Sequence, residues 1–396
     1  MSSILTTFAP PFKIIGGYFL VGLIFLASST IGYFLADFNV IVTLPTAGFL
    51  HLFLIGFVIS IIIGALYQLT SVIIEKNFYS IKFAMPNLIL YGAGIFLLVF
   101  GFFMQNINLL HIGGVLLFIS LGYFIICFLL SFKGSNVNNF AFLTLFIGGV
   151  FLAIGIIFGL FLLFETTGFF VFYFIFLLSY HLYFVLGFIY FIILGASSIL
   201  IPMFALSHKV SFMLYYISFG LYLCAGAILW YDYNIFFILT SISIISFIAQ
   251  IFLILKKRVR KAWDYWNLNI IISLLFLFVS GILYLFEIKS WIFTLLFGFL
   301  YAFTIAHIYK IAPFLVWYHY VSPFVGKMKV PMLEDMIIKN IAFISLIFNV
   351  FGVICAILQL EILAIICIFI SIVLVIINII NIFKYTKFGK KGYINE

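Results

Sequence analysis

Charge is what this sequence has least of. Only 7% of its residues are Asp, Glu, Lys or Arg, against about 25% in a soluble globular domain. Hydrophobic residues make up 67% of the 396-residue chain and the mean hydropathy is +1.40, so there is no composition from which to build a water-facing surface. Cysteine is scarce as well. The four present (Cys127, Cys224, Cys355 and Cys367) lie inside apolar runs and form no CxxC pair, which excludes a disulfide frame and a thiolate metal site and leaves them as packing residues. There is no glycine-rich phosphate loop, no HExxH, no GxSxG and no pair of intramembrane carboxylates; the common nucleotide, zinc and serine-nucleophile chemistries therefore have no carrier, and no catalytic residue is assigned.

What is present is long apolar text. Spans of about 20 residues, enough to cross a bilayer, are expected at 14–36, 47–73, 85–105, 109–132, 139–164, 175–205, 210–231, 235–255, 267–286, 291–318, 340–360 and 362–383. The reading is an all-α, polytopic membrane protein of about 12 transmembrane helices forming a single membrane domain. Met1 to Pro11 is too short for a cleaved leader before a run as long as a true span, so the first helix is expected to be retained. Phe169 to Tyr180 is apolar beyond the needs of its span and is expected to lie flat at the membrane surface.

Basic residues gather at alternate loops: Lys13; Lys76 and Lys82; Lys133; Lys209; Lys256, Lys257, Arg258, Arg260 and Lys261; Lys310, Lys327, Lys329 and Lys339; Lys384, Lys387, Lys390 and Lys391, with only Lys289 on the other side. The positive-inside rule then puts both termini in the cytoplasm, and a bacterial inner (cytoplasmic) membrane is the expected location. The net charge of +9 is this topogenic signal in contact with the lipid bilayer, and no nucleic-acid partner is expected. Asp37, Glu165, Asp232, Glu287 and Glu361 fall on the opposite, outer side. Trp230, Tyr231 and Tyr233 read as an outer aromatic belt, and Trp263, Tyr265, Trp266, Trp317 and Tyr318 as an inner one.

The text repeats itself. The second span reads HLFLIGFVISIIIGALYQLTSV from His51 and the sixth HLYFVLGFIYFIILGASSILIPMF from His181. With Gly56 laid on Gly187, Gly64-Ala65 falls on Gly195-Ala196. The tenth span joins more loosely, through Gly298-Phe299, Ala306 and Pro313, the last matching Pro202. Three pseudo-symmetric four-helix repeats, about 1–133, 134–261 and 262–396, are the expectation.

Six histidines carry the functional question, because ionisable groups are costly in a bilayer. His51 and His181 stand near the outer ends of the second and sixth helices, and His111 at the outer start of the fourth. Two histidines of equal depth on facing helices are what a membrane b-type heme requires, so His51 and His181 are the expected ligands, with His111 as the alternative to His181. His307 sits roughly 25 Å further inward by helix rise; with Tyr309 and Lys310 it is read as a proton relay or second site. His208 and His319 belong to the cytoplasmic edge.

HLFLIGFVISIIIGALYQL and AHIYKIAPFLVWYHY resemble the second and tenth helices of small relatives of the heme-copper oxidase catalytic subunit. The resemblance implies twelve helices in three arcs, cytoplasmic termini, a heme ligand at the place of His51, and a metal-binding histidine in the sixth helix, the helix of His181. The chain departs from that family where oxygen chemistry resides. Met213 to Asp232 lacks the histidine pair of the seventh helix, Ile292, Phe293 and Thr294 stand where the tenth helix carries two histidines, and His181 is followed by Leu182 and Tyr183 instead of the copper-site cluster. A complete terminal oxidase is not expected. The functional reading is a heme-binding membrane protein for electron transfer, redox or gas sensing, or heme and copper handling, with copper as a second candidate metal and a redox protein or other respiratory subunits as partners. A transporter or channel with intramembrane histidines, and a structural subunit of a respiratory complex, are the competing readings.

Overall fold

The computed structural model describes residues 10–38, 42–166, 168–169, 171–208, 210–259 and 261–389. Among the basic residues used above for orientation, Lys209, Arg260, Lys390 and Lys391 lie outside the described residues. The described residues form helices and no strand: α1 Phe12–Leu35, α2 Leu44–Ile74, α3 Ala84–Met104, α4 Ile107–Ser131, α5 Phe140–Thr166, α6 Phe174–Ala205, α7 Met213–Ile228, α8 Tyr233–Lys256, α9 Tyr265–Leu285, α10 Trp291–Phe324, α11 Lys339–Ile357 and α12 Glu361–Lys384. Eleven are long and apolar enough to cross a membrane, and α7, with 16 residues, is shorter than the span expected at 210–231. Large apolar side chains such as Ile31, Ile89 and Ile347 stand about two-thirds exposed (69%, 72% and 65%). That surface suits lipid and not water, and the protein is a multi-pass membrane protein.

Short polar residues start the helices. Thr43 accepts from the Thr46 amide at the head of α2 (3.3 Å), Asn106 from Leu109 at α4 (3.1 Å), Asn139 from Phe142 at α5 (2.8 Å), and Asp232 from Asn234 at α8 (2.9 Å). Each satisfies a backbone donor that the first helical turn leaves open. Helix α6 already includes Phe174 to Tyr180, so the surface-lying segment expected over Phe169 to Tyr180 is at most its first residues. Propagating α6 from Phe174 satisfies backbone groups that a flat apolar strip would leave unpaired.

Three stretches among the described residues are wound as π-helix, His51–Ile59 in α2 and Thr294–Tyr301 and Trp317–Val321 in α10. The wider turn misaligns main-chain carbonyls from their usual donors, and side chains supply replacements: Ser60 Oγ donates to the Gly56 carbonyl (2.6 Å) and Asn349 Nδ2 to the Phe297 carbonyl (2.9 Å).

The chain divides into two compact units. The first comprises Met1–Tyr18, Val42–His51 and Ile62–Lys261; the second comprises Phe19–Ile41, Leu52–Ile61 and Ala262–Glu396. In the first, α5 packs along α6, α3 along α4, and α7 along α8. In the second, α9 packs against α10, and α11 along α12.

The three helices with related text share local packing. A Cβ on Gly56 would stand 2.8 Å from Phe25 Cβ of α1, and one on Gly298 would stand 2.8 Å from Phe276 Cβ of α9. On Gly187 it would meet the Phe151 ring of α5 at 2.6 Å. Each glycine thus receives a phenylalanine of the preceding helix. α10, α2 and α6 are also the most enclosed of the long helices, with 83%, 78% and 67% of their apolar windows buried.

Candidate functional site

The site is assembled in the first unit from α2, α5 and α6. His51 closes the Val42–His51 segment of this unit, and His181 is the eighth residue of α6. The two imidazoles lie within 16° of parallel, with ring centroids 6.2 Å apart. Both sequence-expected ligands are therefore brought together.

Their ring nitrogens are used in the same way by different means. His51 Nδ1 lies 2.8 Å from the Ala47 carbonyl, one turn back on its own helix. His181 Nδ1 lies 2.9 Å from the Gly155 carbonyl, which belongs to α5. A carbonyl accepts only, so each Nδ1 carries the proton, and in the neutral ring the lone pair then stands on Nε2. Neither Nε2 has a hydrogen-bond partner among the described residues.

Apolar and small residues shape the surroundings. The Phe102 ring of α3 lies 5.0 Å from the His51 ring. On the other side, Gly159 of α5 faces the His181 ring, and a Cβ there would stand 2.8 Å from His181 Cε1 and 3.1 Å from Nδ1. Among the described residues no group of three or more His, Cys, Asp or Glu side chains is arranged to hold a metal ion.

His111, the alternative ligand, keeps other company. Its ring lies 5.4 Å from Phe169 and 6.1 Å from Phe164, at the far end of α5, and its Nε2 is buried without a partner. His307 belongs to the second unit. Its Nδ1 lies 2.8 Å from the Phe303 carbonyl and its ring 4.5 Å from the Phe303 ring, while Nε2 is buried without a partner.

Lys310 pairs with Asp264 at 3.2 Å and sits over the rings of Tyr265 (5.4 Å) and Trp266 (5.9 Å). Tyr309 meets Tyr265 edge-on at 5.6 Å. These contacts correct the expected inner belt: Trp263 is 54% exposed, but Tyr265 and Trp266 are only 3% and 1% exposed. Both rings lie buried beneath the lysine of α10 and not at a lipid headgroup. Trp230, Tyr231 and Tyr233 are exposed, as is His208, while His319 is half-buried. All four cysteines are free; three are buried and Cys224 is exposed.

Sequence reasoning reached His51 and His181 through their depth but not Gly155, Gly159, Phe102 or Asp264. The four-residue spacing of Gly155 and Gly159, which puts both on one face of α5, was the signal available for the glycines. Comparison with protein-family models and with curated proteins finds no match to this chain.

Proposed function

We propose that this protein is a membrane-embedded b-type heme protein that transfers electrons, with His51 and His181 as the two axial ligands. The observation that carries the proposal is the geometry of the pair. A metal-imidazole bond is about 2.0–2.1 Å, so two imidazoles can share one metal only when their rings lie close together. The separation in this protein is 6.2 Å, between nearly parallel rings.

The second support is tautomeric. Metal-ligating histidines usually spend the other ring nitrogen on a carbonyl or carboxylate, which fixes the ring and raises its basicity; Ala47 and Gly155 supply those carbonyls. The ligand count is the third. A bare zinc or copper ion wants three or four protein donors, whereas a porphyrin brings four nitrogens and needs only two more.

When bound, heme would supply a one-electron ferric-ferrous couple. The chain's own part would be to hold each ring through its Nδ1 carbonyl, with Phe102 packed beside His51. With two histidines to hold the group and no open position left for a gas, electron transfer would fit better than gas binding or oxygen reduction. The likeness to heme-copper oxidase subunits agrees with a histidine in the second helix, and the histidine pairs of the seventh helix and of the outer end of the tenth, which oxygen reduction would need, are missing. The arrangement of basic residues supports cytoplasmic termini, with the histidine pair toward the outer face of a bacterial cytoplasmic membrane and a redox protein as electron partner.

Extraction of pigment and metal analysis of the purified full chain test the proposal. One heme and one iron per chain are expected. Folded protein that remains colourless after expression with ample heme overturns it, and copper in place of iron assigns the pair to a different metal.

A further inference from the structure

We infer that Gly159 is a positioning residue for His181: its missing side chain sets the ring orientation that presents Nε2 to the metal. The inference rests on the proposed heme reading for its consequence, but its geometric core is independent of any cofactor.

His51 is oriented from within its own helix, through the Ala47 carbonyl one turn away. His181 is not. Its Nδ1 partner, the Gly155 carbonyl, stands on α5, and the ring edge opposite α5 is free to turn unless that helix holds it. Two glycines on the same face of α5 do so in different ways. Gly155 brings its backbone close to α6, since a Cβ there would already stand 3.0 Å from Val185 Cγ2, and its carbonyl orients the imidazole. One turn further, Gly159 gives the room in which the ring lies. A Cβ at this position would approach Cε1, the carbon between the two nitrogens, to 2.8 Å and Nδ1 to 3.1 Å. A contact this short forces the ring to rotate or retreat, and either movement disturbs the bond to Gly155 and the direction in which Nε2 is presented.

The other glycines give the comparison. A Cβ on Gly122 of α4 or Gly220 of α7 meets nothing within 4 Å, so alanine at either position tests the generic effect of adding a methyl group to a helix of the same unit.

Two measurements on the full chain in detergent or nanodiscs decide the matter. The first is the visible and EPR spectrum of Gly159→Ala. The expected result is conversion of the low-spin signal to a high-spin or mixed-spin one, at unchanged heme content or with loss of heme, while Gly122→Ala and Gly220→Ala keep the native spectrum. The second needs no heme. Thermal unfolding is compared for the parent, Gly159→Ala, His181→Ala and the double variant. If the added methyl clashes with the imidazole, the destabilisation by Gly159→Ala disappears in the His181→Ala background. A Gly159→Ala protein with the parent's spectrum and stability overturns the inference, as does a destabilisation that persists undiminished without the imidazole. If the parent itself binds no heme, the heme reading fails while the second measurement still tests the role of Gly159. A single variant that does not fold is read through the double variant, whose recovery is the expected outcome and whose failure to recover contradicts it.

Discussion

Tyr183 and Tyr222 each donate a hydrogen bond to the other's backbone carbonyl, both at 3.0 Å, with their rings stacked at 5.1 Å and 10° from parallel. The pair ties α6, which carries His181, to α7. Side-chain hydrogen bonds between membrane helices contribute on the order of 0.6–2 kcal/mol. Tyr183→Phe and Tyr222→Phe keep the stacked rings and should each cost about 1 kcal/mol in a detergent unfolding assay. Gly226→Ala should cost more, because the new methyl would run into the Tyr183 ring; overpacking of this kind costs about 1–3 kcal/mol.

The phenylalanine-on-glycine contacts predict a selective pattern. Gly56→Ala and Gly298→Ala push against Phe25 and Phe276, and each should destabilise the protein by about 1–3 kcal/mol. Gly122→Ala, with open space around it, should be neutral or slightly stabilising, since alanine lowers the entropy of the unfolded chain. Thermal unfolding of the three variants checks this, and equal effects at all three positions would deny the close approach.

Much of the fold was legible because bilayer solvation imposes a simple rule: long apolar runs become helices, and the expected spans fall within a few residues of the observed ones for most helices. His51 and His181 were legible for a related reason, since an imidazole in apolar text is conspicuous and helix rise converts its position into depth. What surrounds them was not. Gly155 and Gly159 carry no chemical signature of their own, because a backbone carbonyl and a missing side chain show their role only once α5 is seen against α6. The π-helical turns at His51–Ile59 and Thr294–Tyr301 follow from packing against neighbouring helices, which no local pattern encodes. Lys310 was singled out as an intramembrane cation without its partner. Asp264 lies 46 positions earlier, at the head of α9, and Tyr265 and Trp266, expected in the inner belt, are instead buried beneath Lys310.

Asp264 does two jobs, and they can be separated. Oδ1 accepts from the Asn267 amide at 2.8 Å to cap α9, and Oδ2 pairs with Lys310 at 3.2 Å. Loss of a cap costs about 1 kcal/mol, and a partly exposed ion pair adds on the order of 0.5 kcal/mol. Asp264→Ala should therefore destabilise more than Lys310→Met, and Asp264→Asn should fall between alanine and the parent. If Lys310→Met instead has the largest effect, the pair and not the cap holds this end of α9.

The orientation is open to chemical labelling. Single cysteines introduced at Asp37, Glu165, Asp232, Glu287 and Glu361, in a chain freed of its own exposed Cys224, should react with a membrane-impermeant maleimide added to intact cells. Cysteines at Lys256, Lys257 and Lys261 should react only after the membrane is opened. The reverse pattern would invert the topology and put the histidine pair on the cytoplasmic side.

The reduced-minus-oxidised visible spectrum of the parent and of three histidine variants tests the central claim most directly. The parent should show the sharp Soret and α bands of a low-spin, bis-histidine heme. His51→Ala and His181→Ala should each abolish them, because one iron requires both nitrogens, whereas His307→Ala, which alters a residue of the other compact unit, should leave them largely intact. Retention of the low-spin bands in either His51→Ala or His181→Ala, or their loss in His307→Ala alone, would contradict the assignment of the stacked pair as the heme ligands.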